Sequence, residues 1–150
     1  MREHELIFGW EIPLEWGLGA LALSAFLSST LLPGGSEVVL VLLARNGSWH
    51  PHLLLWTATA ANTVGALTTY GIGWLAAAGF RGTARINPDA QALARLRRWG
   101  YPVLLLSWVP LIGDALCLAA GWLRLHWLPV TLLLWAGKFV RYGLLLWLVQ

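Results

Sequence analysis

The sequence predicts an all-α integral membrane protein made of two hairpin-plus-spanning-helix units, arranged as an inverted repeat with opposed re-entrant hairpins. Three observations lead there. Of the 150 residues, 58% are hydrophobic and only 11% are charged, against about 25% charged in an ordinary soluble domain. Apolar runs cover roughly 14–32, 52–78, 100–123 and 128–149, and several approach the ~20 residues that a bilayer-crossing helix needs. The two halves also share one plan. Each has a Pro-x-x-x-acid turn (Pro33 to Glu37; Pro110 to Asp114), a short apolar run and a basic residue (Arg45; Arg124). A Trp/His pair (Trp49-His50; His126-Trp127), a proline (Pro51; Pro129) and the tetrapeptide Leu-Leu-Leu-Trp (53–56; 132–135) follow in both. The shared order and near-equal spacing indicate a duplicated unit.

The elements follow in chain order within a single domain, 1–150. The stretch before the first apolar run carries Glu3, Glu5, Glu11 and Glu15 against Arg2, the wrong charge for a signal peptide. Repeat 1 occupies about 14–78. Its run from Glu37 to Arg45 is far short of the ~20 residues of a crossing, so it reads as the return limb of a hairpin with its tip at Pro33, Gly34 and Gly35. Backbone freed at such a tip is tolerated only where it is buried in protein or lines a wet cavity. The 52–78 run then crosses the bilayer. Its small residues Ala61, Gly65 and Gly73 permit close helix packing, with Asn62 beside them as a polar contact.

The connector, about 79–99, holds Arg81, Arg85, Arg95, Arg97 and Arg98, half of the ten basic residues. The positive-inside rule puts it on the cytoplasmic side. A short helix is expected over 87–98, opened by Asn87-Pro88-Asp89. Repeat 2, about 100–149, has its tip at Pro110 to Gly113 and a final spanning helix. One crossing between the hairpins would set them on opposite faces, tip to tip. Tryptophans at run ends (Trp10, Trp16, Trp49, Trp99, Trp122, Trp127, Trp147) suit an interfacial belt.

Four charges remain inside apolar sequence: Glu37, Asp114, Lys138 and Arg141. Two readings compete for them. They can be a structural salt-bridge network, although desolvation cancels much of what a buried pair gains. They can instead form a substrate and proton site. Glu37 and Asp114 would then take up and release a proton, while Lys138 and Arg141, three apart on one helix face, would hold an anionic head group, Arg as a fork and Lys as a point charge. The expected function is a secondary translocator, proton-linked, of an anionic lipid or lipid phosphate. The alternatives are a small proton-coupled ion or drug exporter, or a non-transporting assembly or structural factor.

Other chemistries find little support. His50 and His52 lack the helical spacing and third ligand of a metal site, and His126 is remote from them. Cys117 reads as a packing residue. Ser24, Ser28 and Ser29 have no neighbouring histidine, and no phosphate-loop or dinucleotide pattern is present. The expectation is therefore no enzyme, no metal, no cofactor and no nucleic-acid partner, with membrane lipids bearing anionic head groups and protons as partners. So short a chain encloses little cavity alone, which makes a homodimer plausible.

The motifs resemble the DedA/VTT (SNARE-associated) superfamily, and within it the small YqaA-like branch. The resemblance rests on Leu-Leu-Pro-Gly-Gly-Ser-Glu-Val-Val-Leu at 31–40, Ala-Asn-Thr-Val-Gly-Ala-Leu-Thr at 61–68 with Gly73, the 106–122 segment around Pro110 and Asp114, and Gly-Lys-Phe-Val-Arg-Tyr at 137–142. It implies a multi-pass protein of the bacterial inner membrane with opposed re-entrant hairpins, and flippase-type lipid transport coupled to protons through embedded acids. Glu37 matches the family's acid after the first Pro-Gly. The second hairpin departs from the pattern. Larger members carry Arg-Phe-x-Pro-x-x-Arg where this chain has Ser107-Trp108-Val109-Pro110-Leu111-Ile112-Gly113, so both arginines are missing and Asp114 follows.

Overall fold

The structure is a computed structural model that describes residues 4–7, 10–13, 16–29, 35–47, 49–79, 89–109 and 111–149. The described part is helical apart from a short antiparallel ribbon, β1 (His4–Ile7) paired with β2 (Trp10–Pro13), which the composition did not anticipate. Tip residues Pro33, Gly34 and Pro110, and connector residues Arg81 and Arg85, lie outside the described residues.

Helix α1 (Gly17–Ser28) covers only the middle of the first apolar run. Helix α2 (Gly35–Arg45) starts two residues before Glu37 and ends where Gly47 turns at φ +69°, a left-handed conformation that glycine takes without steric cost. Helix α3 (Pro51–Ala77) opens with proline at its first position, where a missing N–H costs nothing. Helix α4 (Ala90–Trp99) begins later than the expected 87–98, because Asp89 is its cap: the carboxylate accepts from the Ala92 N–H at 3.3 Å. Gly100, at φ +67°, ends it.

Next comes a departure from plain α-structure. Tyr101–Trp108 form an eight-residue 3₁₀ helix, twice the usual length for this less favourable geometry. Helix α5 (Ile112–Trp122) follows Leu111, which stands at φ +69°. Helix α6 (Trp127–Val149) completes the fold. Among the described residues it alone is long and apolar enough to cross a membrane by length and composition. At ~1.5 Å per residue, α3 has the length as well, but Thr, Asn and His dilute its apolar character.

Two apolar cores form. One joins Leu21 of α1 and Leu40 and Leu43 of α2 to Leu54 and Ala58 of α3 and Tyr142 and Leu146 of α6. The other joins Leu96 of α4, Leu104 of the 3₁₀ helix and Leu116 and Ala120 of α5 to Ala66 of α3 and Val130 and Leu134 of α6. Each core thus takes one end of α3 and the opposite end of α6. Between them lies the polar stretch of both long helices.

Glycines allow the close contacts. A Cβ on Gly65 would lie 2.8 Å from the Phe26 carbonyl oxygen and from Ser29 Cβ, so α1 rests directly on α3. Gly73 meets the Leu118 carbonyl, and Gly121 reciprocally meets that of Tyr70, which seats α5 on the second half of α3. Gly137 lets the Leu105 carbonyl reach within 2.9 Å of where its Cβ would stand, seating the 3₁₀ helix on α6.

Candidate functional site

Polar residues from four helices meet where the two cores join. Lys138 of α6 is only 5% exposed. Its ammonium donates to Asn62 Oδ1 and to Ser29 Oγ, the latter at 3.4 Å. Asn62 Nδ2 in turn faces the Ala25 carbonyl at 3.0 Å, Ser28 Oγ at 3.1 Å and the Tyr142 hydroxyl at 2.9 Å. With two N–H groups for three acceptors, one is shared. Ser36 Oγ closes the cluster, 2.9 Å from the Tyr142 hydroxyl and 3.0 Å from Ser28 Oγ. A buried ammonium without acceptors would be costly. Here Asn62 and Ser29 supply them, with no carboxylate at bonding distance among the described residues.

One turn along α6, Arg141 has different partners. Its Nη2 pairs with Glu37 Oε1, and its Nη1 donates to the Trp108 carbonyl at 2.9 Å. The guanidinium therefore links the first turn of α2 to the last residue of the 3₁₀ helix. Its fork of donors makes one side chain sufficient for both. Glu37 sits where the positive end of a helix favours a carboxylate. The pair is not sealed, its side chains being 16% exposed for Arg141 and 32% for Glu37.

Beside this pair opens a cavity of about 340 Å³. Glu37 and Arg141 line its charged end, and Trp108, Leu144, Leu145 and Leu148 line the rest. Lys138 is not among its lining residues. Asp114, half-buried in the first turn of α5, makes no hydrogen bond or ion pair among the described residues, although it lies within electrostatic range of Lys138 and Arg141. The four predicted charges are thus divided: Glu37 pairs with Arg141 at the cavity, Lys138 lies in the buried cluster, and Asp114 is bonded to neither.

The remaining sequence candidates also fall into place. Asn62 holds the polar cluster together, while Gly65 and Gly73 mark helix contacts. Gly113 lies against the Ser107 carbonyl, where a Cβ would collide, and Gly35 faces open space. Sequence reasoning overlooked Ser36 and Tyr142 and weighed Ser28 and Ser29 only as nucleophiles. Tyr142 had a usable signal, since it stands four residues after Lys138 and so on the same face. Aligning the two Leu-Leu-Leu-Trp tetrapeptides sets Thr59 opposite Lys138 and Asn62 opposite Arg141. The long helices therefore carry their polar residues at matching positions. Thr59 Oγ1 and Ser107 Oγ are buried without hydrogen-bond partners. Among the described residues no group of three or more His, Cys, Asp or Glu converges as a metal site would require.

The described residues form an apolar helical assembly with an ion pair and a buried lysine where its two cores join, an architecture consistent with an all-α membrane protein. Comparison with known proteins specifies which kind. The chain is 47% identical over 125 residues to inner membrane protein YqaA of Escherichia coli (strain K12), covering 83% of this chain and 85% of that protein. It is equally similar to the protein of that name from Shigella flexneri, and 43% identical over 142 residues to an uncharacterized protein of Haemophilus influenzae. The chain belongs to the YqaA inner membrane protein family, which puts it in the bacterial inner membrane. No protein-family model matches the chain, and no solved structure matches it.

Proposed function

We propose that this protein is a multi-pass secondary translocator of the DedA/VTT type, moving an anionic lipid or lipid phosphate across the inner membrane, linked to proton movement and performing no covalent chemistry. One observation carries the reading: the open cavity is lined by a guanidinium–carboxylate pair, Arg141 and Glu37, together with the apolar side chains of Leu144, Leu145 and Leu148. A phosphate head group competes with Glu37 for Arg141, and an acyl or prenyl chain lies along Leu144, Leu145 and Leu148. Proton uptake by Glu37 removes the competing carboxylate. Asp114, electrostatically close to both cations, is the second proton site. Lys138 adds positive potential from behind the cavity rather than direct ligation.

The contacts support opposed re-entrant hairpins. Gly17 lies against Trp49 at the start of α3, whereas Ser29 at the other end of α1 lies against Gly65 in its middle, and α2 returns. In the second half, the Tyr101 hydroxyl meets the His126 N–H at the start of α6, and Trp108 meets Arg141 in its middle. Arg141 then lies at the segment where the larger family members carry arginines, in place of those this chain lacks.

A second reading, a non-transporting assembly factor, is favoured by the Lys138 cluster, whose hydrogen bonds are turned inward. Lipid movement in proteoliposomes decides between them, with and without a proton gradient, comparing wild type with Glu37→Gln and Asp114→Asn. Translocation by wild type that is lost in folded variants supports the carrier. Absence of translocation for both anionic and zwitterionic lipids overturns it.

A further inference from the structure

A second groove lies far along the chain from the central cavity's acid, between α4 and the 3₁₀ helix. It has a volume of about 410 Å³ and is lined by Arg95, Trp99, Pro102, Val103 and Leu106. Helix α4 packs on α5 and on the 3₁₀ helix, burying Ala92 and Leu96 and leaving Arg95, Arg97 and Arg98 exposed. Trp99 is 64% exposed, and the Arg98 guanidinium lies 5.6 Å from its ring centroid. Among the described residues the only charge lining the groove is positive, and the rest of that lining is apolar. The helix's one acid, Asp89, caps the far end.

We infer that this groove binds one anionic phospholipid of the membrane leaflet on the connector side, its phosphate on Arg95 and an acyl chain over Pro102, Val103 and Leu106. Charge complementarity chooses the head group, since polybasic segments beside a membrane favour anionic lipid. The apolar floor selects a lipid over a free phosphate, because a soluble anion would leave that floor exposed. Trp99 has the amphipathic body suited to the head-group level. The site is independent of whatever the central cavity carries.

Native mass spectrometry of the purified full chain, titrated with phosphatidylglycerol or with phosphatidylcholine of the same chains, tests the site. Wild type should retain one phosphatidylglycerol about fivefold more tightly than Arg95→Gln, the effect of one basic residue near a lipid surface. Leu106→Trp, which fills the groove with every charge intact, should lose retention as well. Both positions are exposed, so neither change removes a core contact. Arg141→Gln should keep the lipid, and glycerol phosphate should not displace it. Equal retention by wild type and both groove variants, or equal retention of phosphatidylcholine, overturns the proposal. So does lipid loss caused by Arg141→Gln alone, which would put the lipid in the central cavity instead.

Discussion

Replacing Asn62 with leucine tests whether the buried lysine depends on its amide. The change keeps the branched shape and the number of heavy atoms, so it opens no cavity and its chief effect is the loss of polar contacts. It removes the Oδ1 acceptor of Lys138 and the N–H groups facing Ala25, Ser28 and Tyr142. Interhelical hydrogen bonds in membranes average about 0.6 kcal/mol each, so the lost donors alone cost on the order of 1–2 kcal/mol. The stranded ammonium, left with Ser29 at 3.4 Å, raises the total toward about 3 kcal/mol, the lower range for breaking a buried charged contact. Lys138→Met alone removes the charge but leaves Asn62 Oδ1 unpaired. The double variant removes both, so its cost falls below the sum of the singles by about 1–2 kcal/mol. Unfolding of purified protein in mixed micelles, followed by helical circular dichroism, provides the measurement. Additivity within about 0.5 kcal/mol would refute the claim that Asn62 is what makes Lys138 tolerable at this depth.

Further outcomes follow from other contacts. Gly73→Leu should destabilise the α3–α5 contact by roughly 3 kcal/mol or prevent folding, as overpacking against backbone does, whereas Gly71→Leu, with open space around it, should be tolerated; expression and thermal melting of both check this. Asp89→Ala should speed hydrogen exchange at the Ala92 amide by removing a cap worth about 1 kcal/mol, leaving the two cores unchanged. Leu111→Gly should raise stability by up to about 1 kcal/mol, because a leucine at φ +69° carries a left-handed penalty of roughly that size partly offset by glycine's freedom when unfolded. Denaturant unfolding reads that change directly.

Much of the architecture was legible in the sequence because its causes are local. Apolar run length, proline breaks, the Asp89 cap and the Leu-Leu-Leu-Trp repetition all act within a few residues. They predicted where α2, α3, α5 and α6 lie, and they singled out Glu37, Asp114, Lys138 and Arg141 because charge in apolar sequence is expensive wherever it stands. The partners of those charges depend on the tertiary fold. Lys138 and Arg141 share a helix face, yet one turn along α6 carries the side chain from the buried Ser29–Asn62 cluster to the Glu37–Trp108 gap. No periodicity could separate them. The serines and Tyr142 became part of the site only when α1, α2, α3 and α6 met, because a hydroxyl's role depends on which acceptor packing brings within 3 Å of it. The sequence determined which four charges stand within apolar runs; the packing of α1, α2 and the 3₁₀ helix on α3 and α6 decided that Lys138 is buried and that Glu37 and Arg141 face the cavity, because a side chain's surroundings depend on which elements meet there.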